Sequence, residues 1–169
     1  MRTRIKEIVI KIGYCIFKIV RAPIKWYWKK FNIKTQGVRV MIIHEDSVVL
    51  VRHWYNNLWV MPGGGIKKYE TPEQAAIREI QEELGISDIQ LEYRLGIYSN
   101  NQEGKNDTVY CFVAILDHKI PFQKKFNLEI SDSVWCRFDS LPEGTSKATK
   151  ARISEYIHKD ISKETRLWS

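Results

Sequence analysis

Between Gly63 and Ile86 the sequence specifies one helix together with both of its ends, and the rest of the chain must fold around it. Thr71 followed by Pro72, Glu73 and Gln74 is a helix start: a Thr cap, a proline at the first helical position, and Gln74 placed to return a hydrogen bond to the cap. Gly85 supplies the stop, because glycine enters the left-handed region that closes a helix without steric cost. Ala76, Ile80 and Leu84, with Ile77 beside them, recur at helical spacing, which predicts a helix over about 72–84 with one face on a core and an acidic opposite side.

The acidic side is uncomfortable for a helix. Glu79, Glu82 and Glu83 fall at i, i+3 and i+4, so three carboxylates share one patch, and like pairs at this spacing cost a few tenths of a kcal/mol each. Glu82 and Glu83 also sit in the last turn, where the helix dipole disfavours negative charge by roughly 0.3–1 kcal/mol per group. Two readings fit the spacing. The patch is a solvated face relieved by an Arg78–Glu82 pair, or its oxygens serve a hard divalent cation such as Mg²⁺.

The same residues resemble the Nudix box. Gly64, Glu70, Arg78, Glu79, the aliphatic Ile80, Glu82, Glu83, Gly85 and the aliphatic Ile86 stand at its nine specified positions without departure. In that family the box is a loop, helix, loop unit that holds metal ions against a diphosphate, and hydrolysis releases products from a nucleoside diphosphate linked to another group. The resemblance therefore implies that Glu79, Glu82 and Glu83, with the Gly63 carbonyl, ligate Mg²⁺ or Mn²⁺. It implies that Arg78 and Glu70 orient the catalytic loop. The expected fold is an α/β/α sandwich around a mixed β-sheet, and the expected substrate is a nucleotide-type small molecule.

Two more segments are similar to the family's. Leu50-Val51-Arg52-His53, with Trp59 ahead of Pro62-Gly63-Gly64-Gly65, looks like the approach to the box. Arg52, Trp54, Tyr55 and Trp59 are its candidate substrate contacts; an aromatic ring stacked on a nucleobase is worth roughly 1–3 kcal/mol, and the alternative for each ring is core or rim. Glu129, with Trp135 following, matches an acid outside the box that binds metal or acts as base in some members. Glu79 and Glu129 are thus both candidate bases, with a supporting or surface role the alternative for Glu129.

Elsewhere the chain reads as α/β. Val38, Val40 and Ile42, then Val48 to Val51 after a polar tetrapeptide, form a hairpin of mostly buried strands. Strands are expected over 89–98 and 108–116, loops over 99–107 and 121–127, and a closing helix over 146–159 whose apolar residues are Ala148, Ala151, Ile153, Tyr156 and Ile157. Residues 37–160 form the expected Nudix domain and 161–169 a frayed tail.

Charge divides the chain differently. Residues 1–36 hold ten basic side chains against Glu7, so this segment carries +9 of a net +7 and the remainder is −2. The basic character is an N-terminal feature, which argues against a nucleic-acid-binding domain. Ile5, Ile8, Ile12, Ile16 and Ile19 share one arc of a predicted amphipathic helix, ended or kinked by Pro23 and followed by a cationic, aromatic connector over 24–36. Lys11 and Lys18 interrupt it, so neither a cleaved signal peptide nor a membrane span is expected. Residues 1–31 either lie in a membrane interface or pack on protein, the domain itself or a homodimer partner. Cys15, Cys111 and Cys136 have no paired spacing and read as reduced thiols of a cytoplasmic protein. The rival functions are a ligand sensor without turnover and an adaptor that binds membrane or RNA through the basic arm.

Overall fold

The computed structural model describes residues 34–100, 106–122, 130–161 and 164–168. The segment expected to form the N-terminal amphipathic helix, most of the expected connector, Cys15, Glu129 and most of the expected basic loop at 121–127 lie outside them.

The expected hairpin is formed by β1 (Lys34–His44) and β2 (Ser47–His53), and β1 starts three residues ahead of the expected domain boundary. The strands pair only beside their turn, through Ile43 with Val48 and His44 with Ser47. Beyond that they diverge. The far half of β2 pairs with the short β3 (Trp59–Val60) on the same edge, and its other edge carries β6 (Ile130–Arg137). On its own far side β1 runs parallel to β5 (Asn106–Ile115) along nearly its whole length. Next come β4 (Tyr93–Asn100), antiparallel to β5, and then β7 (Thr165–Leu167), parallel to β4. Among the described residues, seven strands thus make one mixed sheet.

A helix covers each face. Alternation along β1 and β2 sends Val38, Val40, Ile42, Val49 and Val51 to one side, where Ala75, Ala76, Ile80 and Leu84 of α1 (Pro72–Leu84) meet them. Met41, Ile43, Val48 and Leu50 face the other side, with Leu95, Tyr98, Val113 and Ile153 of α2 (Lys147–Ile157). This is the expected α/β/α sandwich.

The boundaries of α1 are those its caps specify. Thr71 accepts from the Gln74 amide at 3.2 Å, Gln74 Oε1 accepts from the Thr71 amide at 2.9 Å, and Gly85 is left-handed at φ 75°. Its burial differs from the expectation in one respect. Ile77 is partly exposed, whereas Glu79 and Glu83 are about nine-tenths buried, so two of the three carboxylates face inward.

The C-terminal part departs further. The fourth strand starts at Tyr93, not Ile89, although the Ile89 side chain is buried. In α2 the buried residues are Thr149, Arg152 and Ile153, while Ile157 is half exposed. A charged side chain, Arg152, fills this core position because its guanidinium sits over the Tyr98 ring, 3.9 Å from the centroid, and donates to Glu155 at 2.8 Å. Glu155 also accepts from the Tyr98 hydroxyl at 2.6 Å; burial and this bond push the Tyr98 phenol well above its usual range. Residues 165–167, expected to fray, form β7, and Trp168 sets its ring edge against Tyr98 at 5.5 Å. Three residues are too few for alternation to be read from sequence. Cys111 and Cys136 are free and buried, and burial pushes their thiols up to about 12 and about 11, which suppresses the reactive thiolate.

Candidate active site

Where β2 leaves β1, a glycine-rich loop takes its place. Val40 N–H donates to the Pro62 carbonyl at 2.9 Å, Val38 N–H to Gly64 at 2.9 Å, and Ile66 N–H to Gln36 at 3.0 Å, so residues 62–66 lie along β1 like a short strand. Gly63 adopts φ 134°, and a Cβ there would stand 2.3 Å from the Val38 carbonyl oxygen. Only glycine fits this approach. At Gly64 an added Cβ would stand 2.7 Å from the Glu79 carboxylate, so the missing side chain makes the space that carboxylate occupies.

Arg78 organises the acids around this loop. Its Nε and Nη2 form a fork onto Glu70 at 2.7 and 2.9 Å, and Nη2 also reaches the Gly65 carbonyl at 2.9 Å. Nη1 donates to Glu79 at 2.7 Å and to Glu82 at 3.1 Å. Glu70 further accepts from the Lys67 amide at 2.9 Å. The Arg78 bonds, assisted by that amide, hold the Glu70 carboxyl at about 2 instead of its ordinary 4.5.

This depression ties stability to pH. Stability from ionised Glu70 is fully present above pH 4.5 and is lost as pH falls toward 2. Glu70→Gln is therefore less stable than the wild type at neutral pH, and its melting temperature falls less between pH 4.5 and 2. Thermal melts of both proteins across that window check this; equal slopes would refute it.

Glu83 is held from the loop side, its Oε2 accepting from Gly63 N–H at 2.9 Å and its Oε1 lying 3.9 Å from His53 Nε2. Glu82 is half exposed and Lys67 Nζ lies 3.2 Å from its Oε1. The Gly63 carbonyl accepts from Arg39 Nη1. The donor set suits a hard divalent cation in kind: every side-chain donor is a carboxylate oxygen, Glu79 and Glu83 are buried, and Glu79 and Glu82 share Arg78. Among the described residues no three acidic, His or Cys side chains converge on one point. Arg78 Nη1 stands between Glu79 and Glu82.

The aromatic candidates divide. Tyr55 stacks on His53 at 5.0 Å and Trp54 meets Tyr55 edge-on at 5.5 Å, so these two connect through the imidazole to Glu83. Trp59 is nine-tenths buried in the α2-facing core, with the Arg52 guanidinium over its ring at 4.7 Å, and Arg52 pairs with Asp132 at 3.3 Å. These two are joined to each other and not to the carboxylates. Ile130, the residue after Glu129, pairs with His53 in the sheet. The residue not singled out from sequence is His53 itself. Its signal is alternation, since it continues the inward-facing stripe of Val49 and Val51.

Comparison with known proteins gives a consistent result. A family model described as the NUDIX domain matches residues 34–157. A mouse protein named diphosphoinositol polyphosphate phosphohydrolase 3-alpha is 43% identical over 70 residues, covering 41% of this chain and 42% of its own length. A Mycobacterium tuberculosis protein named putative 8-oxo-dGTP diphosphatase 3 is 30% identical over 95 residues, covering 53% of this chain and 44% of its own. The chain thus spans under half the length of either relative. Among solved structures, a Nudix hydrolase from Nitrosomonas europaea superposes with a TM-score of 0.63 at 19% identity, covering 79% of this chain and 77% of that one.

Proposed function

This chain belongs to the Nudix family, and from that premise we propose that it is a pyrophosphohydrolase using Mg²⁺ or Mn²⁺ to cleave a phosphoric anhydride in a nucleotide-type substrate. The observation that carries the reading is the pair of buried carboxylates, Glu79 and Glu83, set against a loop in which Gly63 has no room for a Cβ and the bare Gly64 leaves the space that Glu79 fills. A helix selected only for stability would not bury two acids in its last two turns.

Glu79, Glu82 and Glu83 are the side chains that hold the cation, with the Gly63 carbonyl beside them. A bound cation supplies charge neutralisation to the diphosphate and lowers the pKa of the attacking water. Arg78 fixes the rotamer of Glu79 and is itself fixed by Glu70, so the carboxylate needs little reorganisation during the reaction. Glu79 or Glu129 takes the proton from water as general base. To Tyr55 and Trp54, which follow β2 and reach Glu83 through His53, we assign contact with the part of the substrate beyond the phosphates.

The two named relatives point to a diphosphoinositol polyphosphate and to 8-oxo-dGTP, which share an anhydride and little else. The test is a panel of 8-oxo-dGTP, ADP-ribose, a nucleotide sugar, a dinucleoside polyphosphate and a diphosphoinositol polyphosphate, each assayed for product by ion-exchange chromatography. At least one is expected to be cleaved, with turnover abolished by EDTA and restored by Mg²⁺ or Mn²⁺. Compounds that raise the melting temperature and are never cleaved would replace this reading with a ligand sensor.

A further inference from the structure

Position 53 belongs to a stripe that packing alone would fill with aliphatic residues. Val49 and Val51, four and two positions earlier on the same face of β2, are fully buried against α1. His53 is 7% exposed. An imidazole in such a place has a solvation cost that a valine would not, so its contacts must compensate.

Those contacts converge on one carboxylate. His53 Nε2 lies 3.9 Å from Glu83 Oε1, and the Glu83 side chain is only 3% exposed. The other oxygen of Glu83 accepts from the Gly63 amide at 2.9 Å. Glu83 is therefore held between the glycine loop on one side and the imidazole on the other. The ring is constrained in turn by Tyr55, stacked on it at 5.0 Å with planes 23° apart. The backbone is adjusted at the same place: the β2–β6 register shifts between Arg52 and His53, and Ser131, the extra residue, donates to the Arg52 carbonyl at 2.8 Å. The extra residue lies on β6, so the alternation of β2 runs through His53 without interruption.

We infer that His53 is a positioning residue for Glu83, setting the orientation of that carboxylate before a cation arrives. The inference rests on the metal-dependent function proposed above. Groups that orient a metal's ligands change affinity by roughly 10- to 100-fold when removed, because the ligand must then be ordered at the moment of binding.

The test is Mn²⁺ binding without substrate, followed by electron paramagnetic resonance of the free ion and by calorimetry, on the full chain. His53→Phe keeps a ring on Tyr55 and removes the nitrogen; it is expected to weaken Mn²⁺ binding about 10- to 100-fold. His53→Gln, which restores a polar group near the Nε2 position, is expected to recover most of that loss, a rescue that a merely space-filling role would not produce. His53→Leu serves the same purpose as the Phe variant should the larger ring lower the melting temperature. Wild-type affinity in both apolar variants would overturn the positioning role while leaving the metal site standing. A wild-type protein that binds no Mn²⁺ would overturn both.

Discussion

Glu83→Gln is expected to lower kcat at saturating Mg²⁺ by about 10²–10⁴-fold, equivalent to about 3–5 kcal/mol of transition-state stabilisation, and Glu82→Gln to fall in the same range. The two substitutions remove charge without removing shape. In Glu83→Gln the amide oxygen still accepts from the Gly63 amide, so the contact between α1 and the glycine loop survives. Glu82 is half exposed, and its replacement leaves Arg78 its fork onto Glu70. The melting temperature should therefore move little in either variant. Glu73→Gln, an exposed acid in the first turn of the same helix, is the matched control and should keep wild-type turnover. Wild-type kcat and metal dependence in both box variants would remove the acids from the mechanism.

The second large effect separates two adjacent glycines. Gly63→Ala places a Cβ 2.3 Å from a backbone carbonyl on a central strand, at a φ that L-residues rarely adopt, and neither partner can move aside cheaply. It is expected to cost about 3 kcal/mol, and hence about 10 °C in melting temperature. Gly64→Ala instead meets the Glu79 carboxylate, the end of a flexible side chain, 2.7 Å away. That carboxylate can swing out. Gly64→Ala should thus unfold near the wild-type temperature and still lose most of its activity, about 10²-fold or more, because a displaced catalytic group forfeits its geometry. Thermal melts and kcat measured together distinguish them. Two variants equally destabilised, or a fully active Gly64→Ala, would contradict the assigned roles.

Much of this arrangement is legible in the order of the residues alone, and the reasons are local. The ends of α1 can be read because Thr71, Pro72, Gln74 and Gly85 act through their own backbone neighbourhood, as does the turn between β1 and β2. Burial of Glu79 and Glu83 is not legible, since helical periodicity ranks residues by polarity and cannot register that Gly64 and Gly63 N–H provide a place for a carboxylate. Arg152 escapes for the same reason: only the Tyr98 ring and Glu155 make a guanidinium acceptable in the core. The stripe Val49, Val51, His53 shows the opposite failure. There the pattern is clear and the imidazole passes for part of a family motif, although its place in the alternation already marks it as facing inward.

The way the glycine loop is stitched to β1 bears on how that loop opens. Val38 and Val40 donate their amides to Gly64 and Pro62 from a strand whose other edge is zipped to β5 over ten residue pairs. Peeling the loop away would strip hydrogen bonds from β1 while its pairing with β5 stays in place. Solvent exchange at the Val38 and Val40 amides is therefore expected to report opening of the loop itself, separately from unfolding of the sheet.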